Sequence, residues 1–193
     1  MTDANPLFDL QRTINESAQL LQQNRPEEAA ALLEPHQQQT STHPDLAINL
    51  GGAYILQQKW ERAVRVLSKA ADANPENVML WVNLGAAHLG NLQTAGPKQQ
   101  ERAIRAYERA LTIDPLTPNV HYHLGLIYKA RGELTRAIAF FQRALEVEPT
   151  DRDAQYWIDQ LARYQATVQA ASEPMADRDS TSALPPTGDG EQQ

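Results

Sequence analysis

The stretch HYHLG, residues 121–125, places two histidines, His121 and His123, on either side of one tyrosine. Paired imidazoles are the side chains best suited to chelate a metal or relay a proton near neutral pH. Spacing decides whether they can. On a helix, two steps at 3.6 residues per turn rotate by about 200°, so the rings leave opposite faces. A chelating pair stands three or four residues apart, as in HExxH. The pair therefore reads as structural, with His121 packing at an inter-helix seam. Other chemistry-bearing patterns fail in the same way. THPD at 42–45 resembles a triad only on paper and reads as a linker, with Asp45 near a helix start. NES at 15–17 matches a glycosylation sequon but falls on a helical pattern, and the glutamine pairs at 22–23, 57–58 and 99–100 read as surface helix positions. No phosphate loop, nucleophile elbow or metal cluster is legible, so the expectation is no enzyme, no cofactor and no metal.

Composition bounds the remaining classes. The chain has 193 residues, no cysteine and a net charge of −7. The absence of thiols removes disulfides and thiolate chemistry. The longest apolar run is AIAFF, far short of the ~20 residues that cross a bilayer. The opening MTDANPLFDL shows neither a basic nor an apolar signal region, so the expected location is cytoplasmic, with no membrane partner. The last 22 residues carry Glu173, Asp177, Asp179, Asp189 and Glu191 against Arg178 alone, and their Pro, Gly and Ser content reads as a disordered acidic tail. The rest is close to neutral, and with no basic surplus visible on any face a nucleic-acid partner is not expected.

The elements that would hold any site emerge from comparing the chain with itself. Leu50-Gly51, Leu84-Gly85 and Leu124-Gly125 each precede a ring by three residues: Tyr54, His88 and Tyr128. Each is followed by Ala, a large apolar residue, Ala and Pro. These are Ala63, Leu67, Ala70 and Pro75; Ala103, Tyr107, Ala110 and Pro115; Ala137, Phe141, Ala144 and Pro149. Apolar residues at three and four make one stripe of an amphipathic helix. Small residues let two antiparallel helices approach, and proline ends the second one. One such hairpin cannot bury its own stripe, so units must stack.

This pattern resembles the tetratricopeptide repeat. The units span 44–77, 78–117 and 118–151, the middle one lengthened by six residues within GNLQTAGPKQQERA. The insertion reads as tolerated loop growth or as a lip beside a groove. Residues 10–43 read as a degenerate fourth unit, with Ser17 in place of Gly, Leu20 in place of the ring and Ser41 in place of Pro, or alternatively as a plain N-terminal helical cap. Residues 152–171 read as a capping helix. The expected architecture is all-α: a right-handed α-solenoid of stacked antiparallel helical hairpins over 1–171, with a tail over 172–193. Trp81 is expected to be substantially buried between repeats.

The resemblance also implies a site. In that family the place two residues before the glycine faces the concave groove, and here it holds Asn15, Asn49, Asn83 and His123. Side-chain amides there can bond a ligand backbone of any sequence; the alternative is that they bond a neighbouring helix. Beside them stand Ile48, Val82 and Tyr122, then Leu126 and Lys129, with Tyr156 on the cap. Ile48 takes the place where chaperone-tail binders of the family put a lysine, so an apolar or aromatic partner segment fits better. The expected function is a non-catalytic protein-binding module, an adaptor, scaffold or assembly factor. The rival is a helper subunit that self-associates through Trp157 and Tyr164 of the cap.

Overall fold

The computed structural model describes the backbone of residues 6–172 and the side chains of residues 9–171; the acidic tail lies outside the described residues apart from the backbone of Ser172. Among the described residues there are helices and no strands. They run α1 Pro6–Gln22, α2 Pro26–Gln37, α3 Pro44–Leu56, α4 Trp60–Ala73, α5 Val78–Leu89, α6 Pro97–Ile113, α7 Val120–Ala130, α8 Leu134–Val147 and α9 Arg152–Ser172. Proline at the first turn opens α2, α3 and α6, where its missing N–H costs nothing. Asn77 caps α5 by accepting from the Leu80 backbone N–H at 3.3 Å.

Each hairpin is closed by one repeated contact. A Cβ added at Gly51 would come within 2.6 Å of Leu67, at Gly85 within 2.7 Å of Tyr107, and at Gly125 within 2.7 Å of Phe141. Those three large side chains are buried between the helices, each contributing on the order of 1.5–3 kcal/mol through burial. In α1–α2, Ser17 and Leu33 hold the same two places and both are fully buried. The short turns share a backbone solution as well. Asn24, Gln58 and Gly132 stand at matching places with φ of 56°, 58° and 75°, a left-handed step that lets the second helix fold back on the first.

The hairpins then stack in order. α1 lies beside α3 and α3 beside α5, whereas α2 and α4, and α4 and α6, do not come as close. A layer in which odd helices crowd and even helices spread must curl toward the odd side. That makes the odd-helix face of the first three hairpins concave. α7 joins the preceding hairpin through α6 rather than through α5. The core divides at the same place. One cluster runs from Leu10 to Ala87 with Ala106, and a second takes in Leu89, Tyr107, Phe141 and residues of α9. α6 thus serves both, with Ala106 on one side and Ala103, Ile104 and Tyr107 on the other.

Trp81 is partly buried: its ring packs on the first cluster while Nε1 donates to the Pro75 carbonyl at 2.9 Å. One packing expectation needs correction: Gln100 is buried rather than on the surface, its Nε2 donating to the Ala95 carbonyl at 3.0 Å. The six-residue insertion accounts for this. It lengthens the α5–α6 turn and starts α6 a turn early, so Gln100 sits under the added loop.

Candidate functional site

The two histidines of the opening stretch occupy different surroundings. His121 is buried at the seam of α7 and α8, its ring 6.4 Å from Phe140, and its Nδ1 has no hydrogen-bond partner among the described residues. Burial, and then the charge of Arg143, push its pKa below the usual imidazole range, with Glu146 opposing. His123 stacks on Tyr107 of α6 at 5.6 Å and 11° and meets Tyr122 edge-on at 6.1 Å. Burial lowers its pKa too, so both rings are neutral at pH 7. No group of three or more His, Cys, Asp or Glu residues among the described ones is placed to hold a metal.

The three amides are spread along the array, one each on α1, α3 and α5, and do not bond one another. Asn15 is exposed and accepts from Gln11 Nε2 at 3.1 Å on its own helix. Asn49 donates from Nδ2 to the Ile14 carbonyl at 3.0 Å and to Ser17 Oγ at 2.9 Å, so it clasps α3 to α1. Asn83 donates to the Met79 carbonyl of its own helix at 2.8 Å. The difference between Asn49 and Asn83 follows from their neighbours one repeat back. Asn49 faces Ser17, whose hydroxyl can accept; the matching residue for Asn83 is Gly51, which has none. Ser17, a departure from the repeat pattern, is thus the residue that sequence reasoning under-read. Its signal was a polar side chain where the pattern requires none.

Toward the C-terminal end the inner face becomes aromatic. Ile48 and Val82 are half-buried, the first against the N-terminal cluster and the second against the C-terminal one. Tyr122 packs on Phe141 at 5.6 Å and lies beside the Trp157 indole. Leu126 is half-buried one turn further along α7, and Lys129 places Nζ 3.5 Å above the Trp157 ring. A desolvated cation over an indole is a favourable contact of about 0.5–2 kcal/mol, and the same desolvation lowers the Lys129 pKa. Tyr156 stands edge-on to Trp157 and is 54% exposed. Tyr122 and Lys129 are therefore brought together with the cap. Leu89, at the place matching Ile55 and Lys129, is instead buried in the core.

The outer face carries a feature the linear reading excluded. Lys98, Arg102 and Arg105 of α6 and Arg131 at the end of α7, four cations against Glu101, line one recess of about 540 Å³. A basic surplus does exist on one face. Its spacing of four and three along α6 was legible, but Arg131 joins only through the stacking of hairpins.

No described helix is long and apolar enough to cross a membrane. Profiles of the tetratricopeptide repeat match residues 20–90, 98–130 and 118–151. Among curated proteins, the peroxisomal targeting signal receptor of Candida glabrata is 29% identical over 86 residues, 45% of this chain. The chain spans only 14% of that relative's length. Among solved structures, MamA of Desulfovibrio magneticus RS-1 superposes with a TM-score of 0.68 at 23% identity, covering 84% of this chain and 89% of that one. The first repeat domain of Spaghetti (RPAP3), bound to the HSP90 peptide SRMEEVD, superposes with a TM-score of 0.56 at 22% identity, over 63% and 94% of the two chains. These likenesses show the fold, a solenoid of stacked helical hairpins whose family mediates protein–protein interactions. The repeated glycine-to-large-residue contacts and the profile matches agree, and the chain belongs to the tetratricopeptide-repeat family.

Proposed function

We propose that this protein is a non-catalytic adaptor, scaffold or assembly factor that holds an apolar or aromatic segment of a partner protein against its inner face. The domain adopted with this reading is 1–171, with repeats at 10–43, 44–77, 78–117 and 118–151 and a cap at 152–171. The observation that carries it is the run of half-exposed apolar and aromatic side chains in one register of the odd helices. Ile48, Val82 and Tyr122 hold matching places on α3, α5 and α7, Leu126 and Lys129 follow along α7, and Tyr156 of the cap is exposed. Partly wetted apolar surface of this kind gains from being covered. Asn15, Asn49, Asn83 and His123 flank the row. Asn49 has both amide hydrogens engaged and retains Oδ1 as an acceptor; Asn83 uses one amide hydrogen within its own helix, and the second can meet a ligand carbonyl.

A second reading rests on α9. Tyr164 and Val168, one turn apart, are 60% and 50% exposed, which suits self-association through the cap.

Selection of peptides from a random display library on the intact protein tests the first reading. The selected peptides should be apolar or aromatic. Their affinity should fall about two- to tenfold in Asn83→Ala, the equivalent of one hydrogen bond, and further in Val82→Lys. Light scattering on Tyr164→Lys, an exposed cap position away from the row, supplies the contrast. Peptide binding indifferent to Val82 and Asn83, with mass and binding both controlled by Tyr164, would make the cap the working surface.

A further inference from the structure

α4 and α8 begin at Trp60 and Leu134, the places that match Gln100, yet α6 begins three residues earlier, at Pro97. The insertion therefore adds a turn to one helix of the array. That turn carries Lys98, which falls on one face with Arg102 and Arg105 at spacings of four and three. Arg131, from the turn after α7, completes the opposite wall of the recess. Arg102 and Arg105 also line a second recess, of about 200 Å³, with Trp81, Leu84 and His88 of α5. These two recesses, which share the two arginines, are the basic channel.

Its charges are not balanced within the fold. Glu101 reaches Arg105 at 3.3 Å and Arg131 at 3.9 Å, and Glu133 reaches Arg131 at 3.3 Å. Lys98 and Arg102, both exposed, have no ion pair among the described residues. Arg102 is close enough to His88 for its charge to help hold that imidazole neutral. An acidic ligand is the chemistry that fits two unmatched cations beside aromatic side chains.

The same sequence holds such a segment, and the fold delivers it to the right end. α9 runs back along α8, and Gln165 Nε2 donates to Thr135 Oγ1 at 3.3 Å, four residues beyond Arg131. From there α9 continues seven residues, about 10 Å, to Ser172. The chain thus leaves the array at the end where Lys98 and Arg131 stand. Asp177 and Asp179 follow within seven residues, about 25 Å of extended chain. We propose that the basic channel of α6 and the α7–α8 turn docks the acidic segment 173–193 of this same chain, through Lys98 and Arg102 against Asp177 and Asp179. Docked, the segment covers the channel, and a competing acidic partner has to displace it.

The absence of cysteine allows a direct test on the full chain. Gln93→Cys in the α5–α6 turn and Ser182→Cys in the segment are labelled as a fluorescence energy-transfer pair. Transfer should be high at about 50 mM salt and fall at least twofold by about 0.5 M, as screening shortens to a few ångströms. Lys98→Glu with Arg102→Glu should bring it to the high-salt value at low salt, with unchanged helicity by circular dichroism. Adding Asp177→Lys and Asp179→Lys to that pair should restore it. Transfer that ignores the charge reversals overturns the proposal. Transfer between singly labelled chains that grows with concentration overturns it in favour of a second copy. A short single-stranded oligonucleotide that binds through Lys98 and Arg102 while the labels stay apart assigns the channel to nucleic acid and overturns it as well.

Discussion

Replacing Asn49 by alanine removes two hydrogen bonds that join α3 to α1, at 3.0 Å to Ile14 and 2.9 Å to Ser17. Each is worth about 0.5–1.5 kcal/mol net, so the pair contributes roughly 1–3 kcal/mol. Ser17 is fully buried, so its oxygen loses a donor that water cannot readily replace; it still donates to the Ile14 carbonyl at 2.7 Å. Against this, alanine is the better helix former by up to about 0.7 kcal/mol. The expected net loss is about 1–2 kcal/mol. For a chain of this size that lowers the melting temperature by roughly 2–8 °C. Asn83→Ala is the control, because its amide bonds only its own helix, and it should be neutral or slightly stabilising. The assay is thermal unfolding by circular dichroism on Asn49→Ala, Ser17→Ala, both together, and Asn83→Ala. The two changes at the clasp should couple by at least about 0.5 kcal/mol. Equal melting temperatures for Asn49→Ala and Asn83→Ala, or additive effects of the Ser17 and Asn49 changes, would refute the clasp. The result also decides how groove binding is probed: Asn83 reports on a ligand, whereas Asn49 reports on the fold.

Two further outcomes follow from packing and titration. Gly85→Ala places a methyl 2.7 Å from the buried Tyr107 ring and should cost about 1–3 kcal/mol, whereas Gly52→Ala meets nothing within 4 Å and should stabilise α3 by about 0.5–1 kcal/mol; denaturant midpoints of the two variants should move in opposite directions. His88, His121 and His123 all have folded pKa values pushed below the ordinary imidazole value, chiefly by burial. The unfolded chain therefore binds more protons below about pH 6.5. Stability should be full above that pH and decline as pH falls toward the folded values, and His121→Phe should flatten part of the decline; melting temperatures of the variant and wild type that fall in parallel from about pH 7 to 5 would exclude His121 as a contributor.

The repeat phase was readable in one dimension because its cause is local. Gly51 with Leu67, and Gly125 with Phe141, are fixed partners at constant separation inside one hairpin, and helical periodicity alone puts them on facing sides. Even the lengthened middle unit kept its pair, Gly85 with Tyr107, since the insertion lies in the turn between them. The same locality made it possible to dismiss His121 and His123 as a chelating pair. What the sequence left open depends on how one hairpin sits on the next. Whether Asn49 faces a ligand or a neighbour was decided by Ser17, 32 residues away, and whether His123 stands free was decided by the stack with Tyr107. The basic channel exists because stacking carries Arg131 to the charges that an inserted turn had already aligned on α6. Helix formation and hairpin closure are set by spacings within a few turns of chain, while side chains between hairpins answer to the angle and offset of stacking, which no single repeat encodes.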